Sequence, residues 1–495
     1  MSTHCLRAIQ SFWNRGEFES GGFLTKKGHL VSWALSALTI SKFFPEMHLV
    51  TNGIGKHILV DELNLPYSSV SLEFDSYQPS VPKEPWPLRK LFVYSLQKAP
   101  FLHFDGDVYL WRSLPARIQT ADLVAQNLAL NLPYYSEAYR HLKCQKADSP
   151  EPVFPNGEVY GANAGVMGGR CWSFFGEFYQ LAKKVLIINQ SKVDEANLDY
   201  IGAFIEEALF YIYAKKKGLT VKYLFDFQVT ENFYPSLQEF AQLPDCCAYI
   251  HLMRGKSNPL LVNFLTQRIE IEYPDTYEAI KSFLSKTASY EVSTERFSPL
   301  GHPRANLLLD RYGLSAPGFE EEKMIRLDEQ QKLLLEDVRA FETARQAFEV
   351  SVAGSRATNP DYFISVDKYL GEGADIFCKR RIGLSRSVCF IESEWPWAMD
   401  YHRTLENARF DAIICLPPSY FLTAVVNLQP EGGIFEYQFD GFGLLIIDGL
   451  QEPVSINQLA ADIETQTGQV TGAKEALINY IRFFLYFGIL RFTGE

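Results

Sequence analysis

The sequence predicts an α/β protein. A doubly wound, mostly parallel sheet occupies the N-terminal part, and a smaller α+β region follows it. Three observations carry this expectation. From residue 6 to residue 104 short apolar runs alternate with helical stretches, the order that strands and crossover helices produce. The 495-residue length exceeds what one core holds, so two or three domains are expected. With 47% hydrophobic and 14% aromatic residues, the chain can fill a large core.

The elements follow in order. "LRAIQSFW" (6–13) reads as the first strand. "GHLVSWALSALTISKFF" (28–44) has Leu30, Trp33, Ala34, Ala37 and Leu38 at helical spacing, and Pro45 ends it. "MHLVTN" is the next strand, and residues 56–74 repeat the logic with a short helix and a strand. "PLRKLFVYSLQKA" (87–99) is a helix that feeds the buried strand "PFLHFD". A polar region runs to about residue 158. "VYGANAGVMGG" (159–169) reads as a strand breaking into glycines. Residues 170–188 and 198–218 are helical, the second closed by Lys and Gly. "TVKYLF" and "CAYIHLM" add two strands.

The expected domains are 1–290, a helical linker 291–355, a mixed segment 356–433 and a small domain 434–495. In 319–350 Leu327, Leu334, Val338, Phe341 and Phe348 form one stripe of a long helix with an acidic start. That stripe suits a connector packed on both domains, or a pair of helices in a homodimer. "DAIICLPP" (411–418) reads as a strand. In the tail, "IFEYQF" alternates as a strand, Ser455 and Gln458 have capping-box spacing, and Leu477, Ile481, Phe484 and Leu485 share a helical face that Gly488 ends.

Charge and cysteines exclude some classes. The net charge of −12 argues against nonspecific nucleic-acid binding, despite the basic run Cys378-Lys379-Arg380-Arg381. The eight cysteines form no CxxC pair, and Cys246-Cys247 are adjacent. Reduced cysteines in a cytoplasmic protein are expected. The N-terminal residues have no apolar run of signal-peptide length, and "FFLYFGIL" (483–490) is too short to span a bilayer. The sequon at Asn189 is then not a glycosylation site.

The chemistry concentrates in "FLHFDGDVYLW" (101–111). Asp105 and Asp107 stand at i and i+2 at a strand end and point to one side. Gly106 lets the chain turn between them. Two carboxylates so placed make a hard-oxygen site for Mn²⁺ or Mg²⁺ that still admits water and phosphate ligands. The same pair also suits an ordinary turn.

Asp105-Gly106-Asp107 after a buried strand resembles the D-x-D motif of metal-dependent GT-A nucleotide-sugar glycosyltransferases. "YGANAGVMGG" is similar to that family's N-x-G segment, with Asn163, Ala164 and Gly165 against the donor sugar. "YIHLMRGKSNP" is similar to its H-x-x-G-x-K element, with one extra residue before the glycine. Lys90, or Arg89, stands where related enzymes hold a basic residue. The resemblance covers about 5–265 and points to a bacterial branch of the glycogenin-like superfamily rather than to glycogenin itself. It implies Asp105, Asp107 and His251 as metal ligands, Lys90, Gly165 and Lys256 around a UDP-sugar, and Asn163 at the sugar. The alternative for His251 is a structural histidine, and for Asn163 a turn cap. Glu206 and Glu207 lie mid-helix. They are either a solvated face or acceptor-side catalytic groups, acting as base or as stabilisers of positive charge; Asp199 is a weaker candidate. The histidine leans toward a retaining outcome.

The tail 434–495 resembles PqqD-like winged-helix elements, which bind leader peptides of ribosomally made precursors. The resemblance implies a precursor peptide as partner; a purely structural cap is the other reading. The expected function is transfer of a sugar from a UDP-sugar to an acceptor, a peptide or else a saccharide or lipid-linked acceptor. The alternative is a peptide-binding protein with a degenerate transferase domain.

Overall fold

A computed structural model describes residues 6–14, 20–23, 25–142, 158–193, 197–230, 237–238, 240, 243, 248–286, 303–312, 327–352, 366, 368–370, 372–398, 413–427, 434–468 and 473–493. Cys246, Cys247 and the start of the 319–350 helix lie outside these residues. The chain divides into two compact units. One comprises Met1–Gln238, Ala248–Arg254 and Glu272–Thr287; the other comprises Glu239–Cys247, Gly255–Ile271 and Ala288–Glu495.

The first unit is α/β, as expected. Its strands are β1 (Arg7–Ser11), β2 (Met47–Val50), β3 (Ser69–Ser71), β4 (Phe101–Phe104), β5 (Val108–Leu110), β6 (Leu123–Ala125), β7 (Leu128–Leu130), β8 (Tyr160–Ala162), β9 (Val166–Gly169), β10 (Val221–Tyr223), β11 (Gln228–Thr230) and β12 (Tyr249–His251). Seven of them form a sheet in the order β10-β6-β9-β4-β1-β2-β3. Neighbours run parallel except β9, which is antiparallel to both β4 and β6. β4 lies at the middle of this order and all four of its residues are buried. Buried strands of a parallel sheet need continuous apolar residues, and "FLHF" supplies them with one histidine.

β9 explains the glycines of "VMGG". Gly168 and Gly169 have φ of +157° and +134°, and a Cβ on either would meet neighbouring backbone at 2.2 Å. They serve strand packing, while the open turn lies earlier, at 163–165. The helix Lys26–Ser41 begins at Thr25, whose hydroxyl accepts from the Gly28 N–H at 3.0 Å. It is buried nearly all round, including the hydroxyl residues Ser32, Ser36 and Thr39.

The second unit has two three-stranded sheets. β14 (Val388–Ser393), β15 (Phe421–Asn427) and β16 (Ile434–Gln438) form an antiparallel one. β13 (Arg381–Leu384) lies between β17 (Val454–Ser455) and β18 (Leu490–Phe492) in the other. Strands from both sides of residue 433 thus share sheets. The expected strand at 411–418 is replaced, within 413–418, by a helical turn and coil. A short apolar run has no period to distinguish the two states, and "LPP" cannot extend a strand ladder.

The helix Glu329–Val352 buries Leu334, Leu335, Val338 and Phe341 within this unit. Leu333 and Val350 stay exposed on it. In the tail, Ser455 accepts from the Gln458 N–H at 3.1 Å. Gln458 itself turns forward to Asp462, so half of the capping box forms. Gly488 ends the helix Ala473–Tyr486 with φ +70°.

Buried charge also ties this unit together. Glu436 of β16 pairs with Arg304 at 2.5 Å and with Arg345. Glu342 accepts from the backbone of Arg304 at 2.7 Å, at the start of the helix Pro303–Arg311. Glu436→Gln would strip a counter-charge from two buried guanidiniums, and a loss of roughly 3–5 kcal/mol is expected. Urea unfolding measures it; a change below about 1 kcal/mol would mean that Glu342, 3.7 Å from Arg304, and Glu349, 3.3 Å from Arg345, suffice.

Candidate metal and anion site

The D-G-D turn is held from beneath by the helix Lys26–Ser41. Ser32, Ser36 and Thr39 recur at i, i+4 and i+7, so they line one face. Ser32 donates to the Gly106 carbonyl at 2.9 Å and Ser36 to the Val108 carbonyl at 2.6 Å. Thr39 accepts from the Leu110 N–H at 3.2 Å. Gly106 itself is required: a Cβ there would stand 2.2 Å from the Trp33 ring.

The turn then enters β5, which pairs antiparallel with β12, and His251 falls opposite Val108. This register gathers Asp105, Asp107 and His251, whose ligand atoms lie within 4.8 Å of one another. His251 Nε2 is 3.6 Å from Asp107 Oδ2. The Met253 N–H donates to the same Oδ2 at 3.1 Å. To do so Met253 adopts φ +43°, a left-handed conformation uncommon for a side chain of its kind. Two carboxylates and an imidazole suit Mn²⁺ better than Mg²⁺, which prefers oxygen alone.

Lys90 joins from the helix Pro87–Ser95. Its ammonium is 2.7 Å from Asp105 Oδ1 and 2.7 Å from Glu206 Oε1. Arg89 points elsewhere, over the Trp13 ring at 3.7 Å. Burial would lower the Lys90 ammonium, but Asp105 and Glu206 outweigh it and hold it well above its ordinary value. One ammonium cannot neutralise two carboxylates. Burial pushes Glu206 up to about 8 against the pull of Lys90.

Glu206 and Glu207 are therefore no solvated face; both are buried. They lie in a π-helical turn, Phe204–Ala208, between the helices Leu198–Ala203 and Leu209–Lys216. Glu207 accepts from Tyr135 at 2.5 Å and is also bonded to the Ala164 backbone. Burial pushes it up to about 7. Asp199 is exposed.

Asn163 closes the turn before β9, its Oδ1 accepting from the Gly165 N–H at 3.0 Å. The Gly165 carbonyl accepts from the Asp105 N–H at 3.1 Å, so this turn abuts the motif. A Cβ on Gly165 would lie 2.5 Å from both His251 Nδ1 and Gln126 Oε1. Lys256 is half-buried on the short helix Met253–Ser257, in the segment Gly255–Ile271 that belongs to the other unit.

Sequence reasoning missed several residues. Gln126 contacts His251, and neutral His103 lies under Asp105, with burial and Lys90 pushing its pKa well below the ordinary value. The hydroxyl row was detectable in principle, because three Ser/Thr at one-turn spacing interrupt an otherwise apolar helix.

Fold and geometry define a cluster of two carboxylates and an imidazole that could hold a divalent cation, at the end of the central strand of an α/β sheet. The chain belongs to DUF6734, a family of unknown function, whose model matches residues 6–283 and so spans the whole cluster. No curated protein matches the chain.

The buried glutamates make stability pH-dependent. Folding raises Glu206 from about 4.5 to about 8, so the folded state binds more protons between those values. The group's stabilising contribution is complete below about pH 4.5 and is lost as pH rises through 8. In EDTA, Glu206→Gln is expected to flatten the fall in Tm between roughly pH 5 and 8, with Glu207 accounting for the remainder. An unchanged Tm profile would show that Glu206 ionises freely in the folded protein.

Proposed function

We propose that the first unit is the catalytic domain of a divalent-metal-dependent, GT-A-type glycosyltransferase that uses a UDP-sugar. The observation that carries this reading is the cluster of Asp105, Asp107 and His251 at the end of β4. Its resemblance to D-x-D enzymes supplies the donor class. Asp105, Asp107 and His251 would hold the cation. A bound divalent cation supplies positive charge to the donor diphosphate and to the departing nucleoside diphosphate.

The remaining steps belong to the chain. Lys90 adds a second fixed positive charge beside Asp105, in a buried setting where it acts more strongly than in water. Glu206 anchors Lys90 at 2.7 Å. Asn163 shapes the turn that sets the Gly165 backbone against the motif. Glu207 braces the same turn through the Ala164 backbone. In this reading neither glutamate needs to remove a proton, which agrees with a retaining outcome.

The acceptor follows from the second unit. A ribosomal precursor peptide is the proposed partner, held by 434–495 in the cytoplasm. β16 is one of the two outer strands of its sheet among the described strands, and an outer strand can accept a further one. Among the described residues no helix is long and apolar enough to cross a membrane.

The test is release of UDP from UDP-sugars with Mn²⁺ and its loss in EDTA. Asp105→Ala and Asp107→Ala are each expected to reduce the rate by roughly 10²–10³-fold or more, with the fold intact by circular dichroism. Turnover that survives EDTA or either substitution would rule the metal mechanism out. Binding of Mn²⁺ and UDP with no turnover would favour the degenerate-domain alternative.

A further inference from the structure

We infer that Gln126 is a positioning residue that fixes the tautomer of His251, so that Nε2 carries the lone pair facing the aspartates. The inference rests on the metal reading for its purpose, and on hydrogen-bond geometry for its content.

An imidazole ring has one donor and one acceptor nitrogen when neutral, and the partner of one nitrogen decides the role of the other. His251 Nδ1 is 2.8 Å from Gln126 Oε1. An amide oxygen can only accept, so Nδ1 carries the hydrogen. Nε2 is then the acceptor, and it is the nitrogen near Asp107. This holds only if the Gln126 amide is oriented as stated, since its NH₂ would reverse the choice.

The orientation is set further along the chain. Gln126 Nε2 donates to Asn127 Oδ1 at 3.0 Å, and Asn127 Nδ2 donates to the Leu128 carbonyl at 3.2 Å. A backbone carbonyl is an acceptor and cannot flip. It therefore fixes Asn127, Asn127 fixes Gln126, and Gln126 fixes His251. Tyr249 also donates to Gln126 Oε1 at 2.5 Å; as a hydroxyl it follows the polarity that the Leu128 carbonyl sets. Tyr249 and His251 are i and i+2 on β12, so they meet the same amide. The three residues 126–128 thus act as a relay of fixed polarity from a main chain to a ligand atom. Gln126 and Asn127 are both almost fully buried, so water does not compete.

The test uses the full chain without metal, labelled with ¹⁵N-histidine. Long-range ¹H–¹⁵N correlation distinguishes the two ring nitrogens, and His251→Gln identifies its signal among the nine histidines. The expected result is a protonated Nδ1 and an unprotonated Nε2. Gln126→Met should mix the tautomers and weaken Mn²⁺ binding by roughly 10–100-fold. Gln126→Glu, which restores an acceptor, should recover most of that affinity. If Gln126→Met fails to fold, Asn127→Leu breaks the relay one step earlier and is read in the same way. A protonated Nε2 in the unsubstituted protein would overturn the inference. So would Gln126→Met with an unchanged tautomer and Mn²⁺ affinity. An Nδ1–H tautomer in a protein that binds no Mn²⁺ would keep the Gln126 assignment and overturn the metal reading instead.

Discussion

The site depends on one constraint, the fixing of the 105–110 segment against the helix Lys26–Ser41. A turn bearing two carboxylates at one tip tends to open, because like charges repel and water solvates each separately. Here three hydroxyls on one helical face bind its backbone, and the Trp33 ring fills the space that a side chain at 106 would need. The turn cannot relax without breaking buried hydrogen bonds, each of which is costly to leave unmade. β5 leaves that turn already aligned, so β12 can pair with it and deliver His251 from more than 140 residues away.

Buried charge is the second constraint, and it is satisfied asymmetrically. Lys90 faces Asp105 and Glu206 together, an arrangement with one carboxylate too many. Burial resolves the surplus by keeping the proton on Glu206, whose pKa is pushed up to about 8. In the proposed function, a cation drawn to Asp105 would leave Lys90 to Glu206 and favour the charged form of that carboxyl.

The degree to which this was legible in the sequence follows from the range of each interaction. β1, β2 and β4 were readable because apolar runs are bounded by Pro, Gly or polar turns. β7 and β11, with three residues each, have no run long enough to show a period. Asp105 and Asp107 stood out by local spacing. His251 did not, since its partnership is made by strand register; only the resemblance to a family singled it out. Gln126 had no signal at all, because "DLVAQNL" differs little from any buried strand end. The burial of Glu206 and Glu207 was equally hidden, as adjacent charges in a helix usually mean a wet face.

Their burial has a physical explanation in the π turn. Neighbours on a regular helix point about 100° apart, so two adjacent side chains seldom both reach inward to separate partners. The i→i+5 turn at Phe204–Ala208 widens the helix by one residue at that place. Glu206 then reaches Lys90, and Glu207 reaches Tyr135 and the Ala164 backbone. One glutamate thus supports the cationic side of the site and the other supports the turn of Asn163 and Gly165. The contacts of these two carboxylates link the widened turn to the helix Pro87–Ser95, through Lys90 to the D-G-D motif, and to the 163–165 turn.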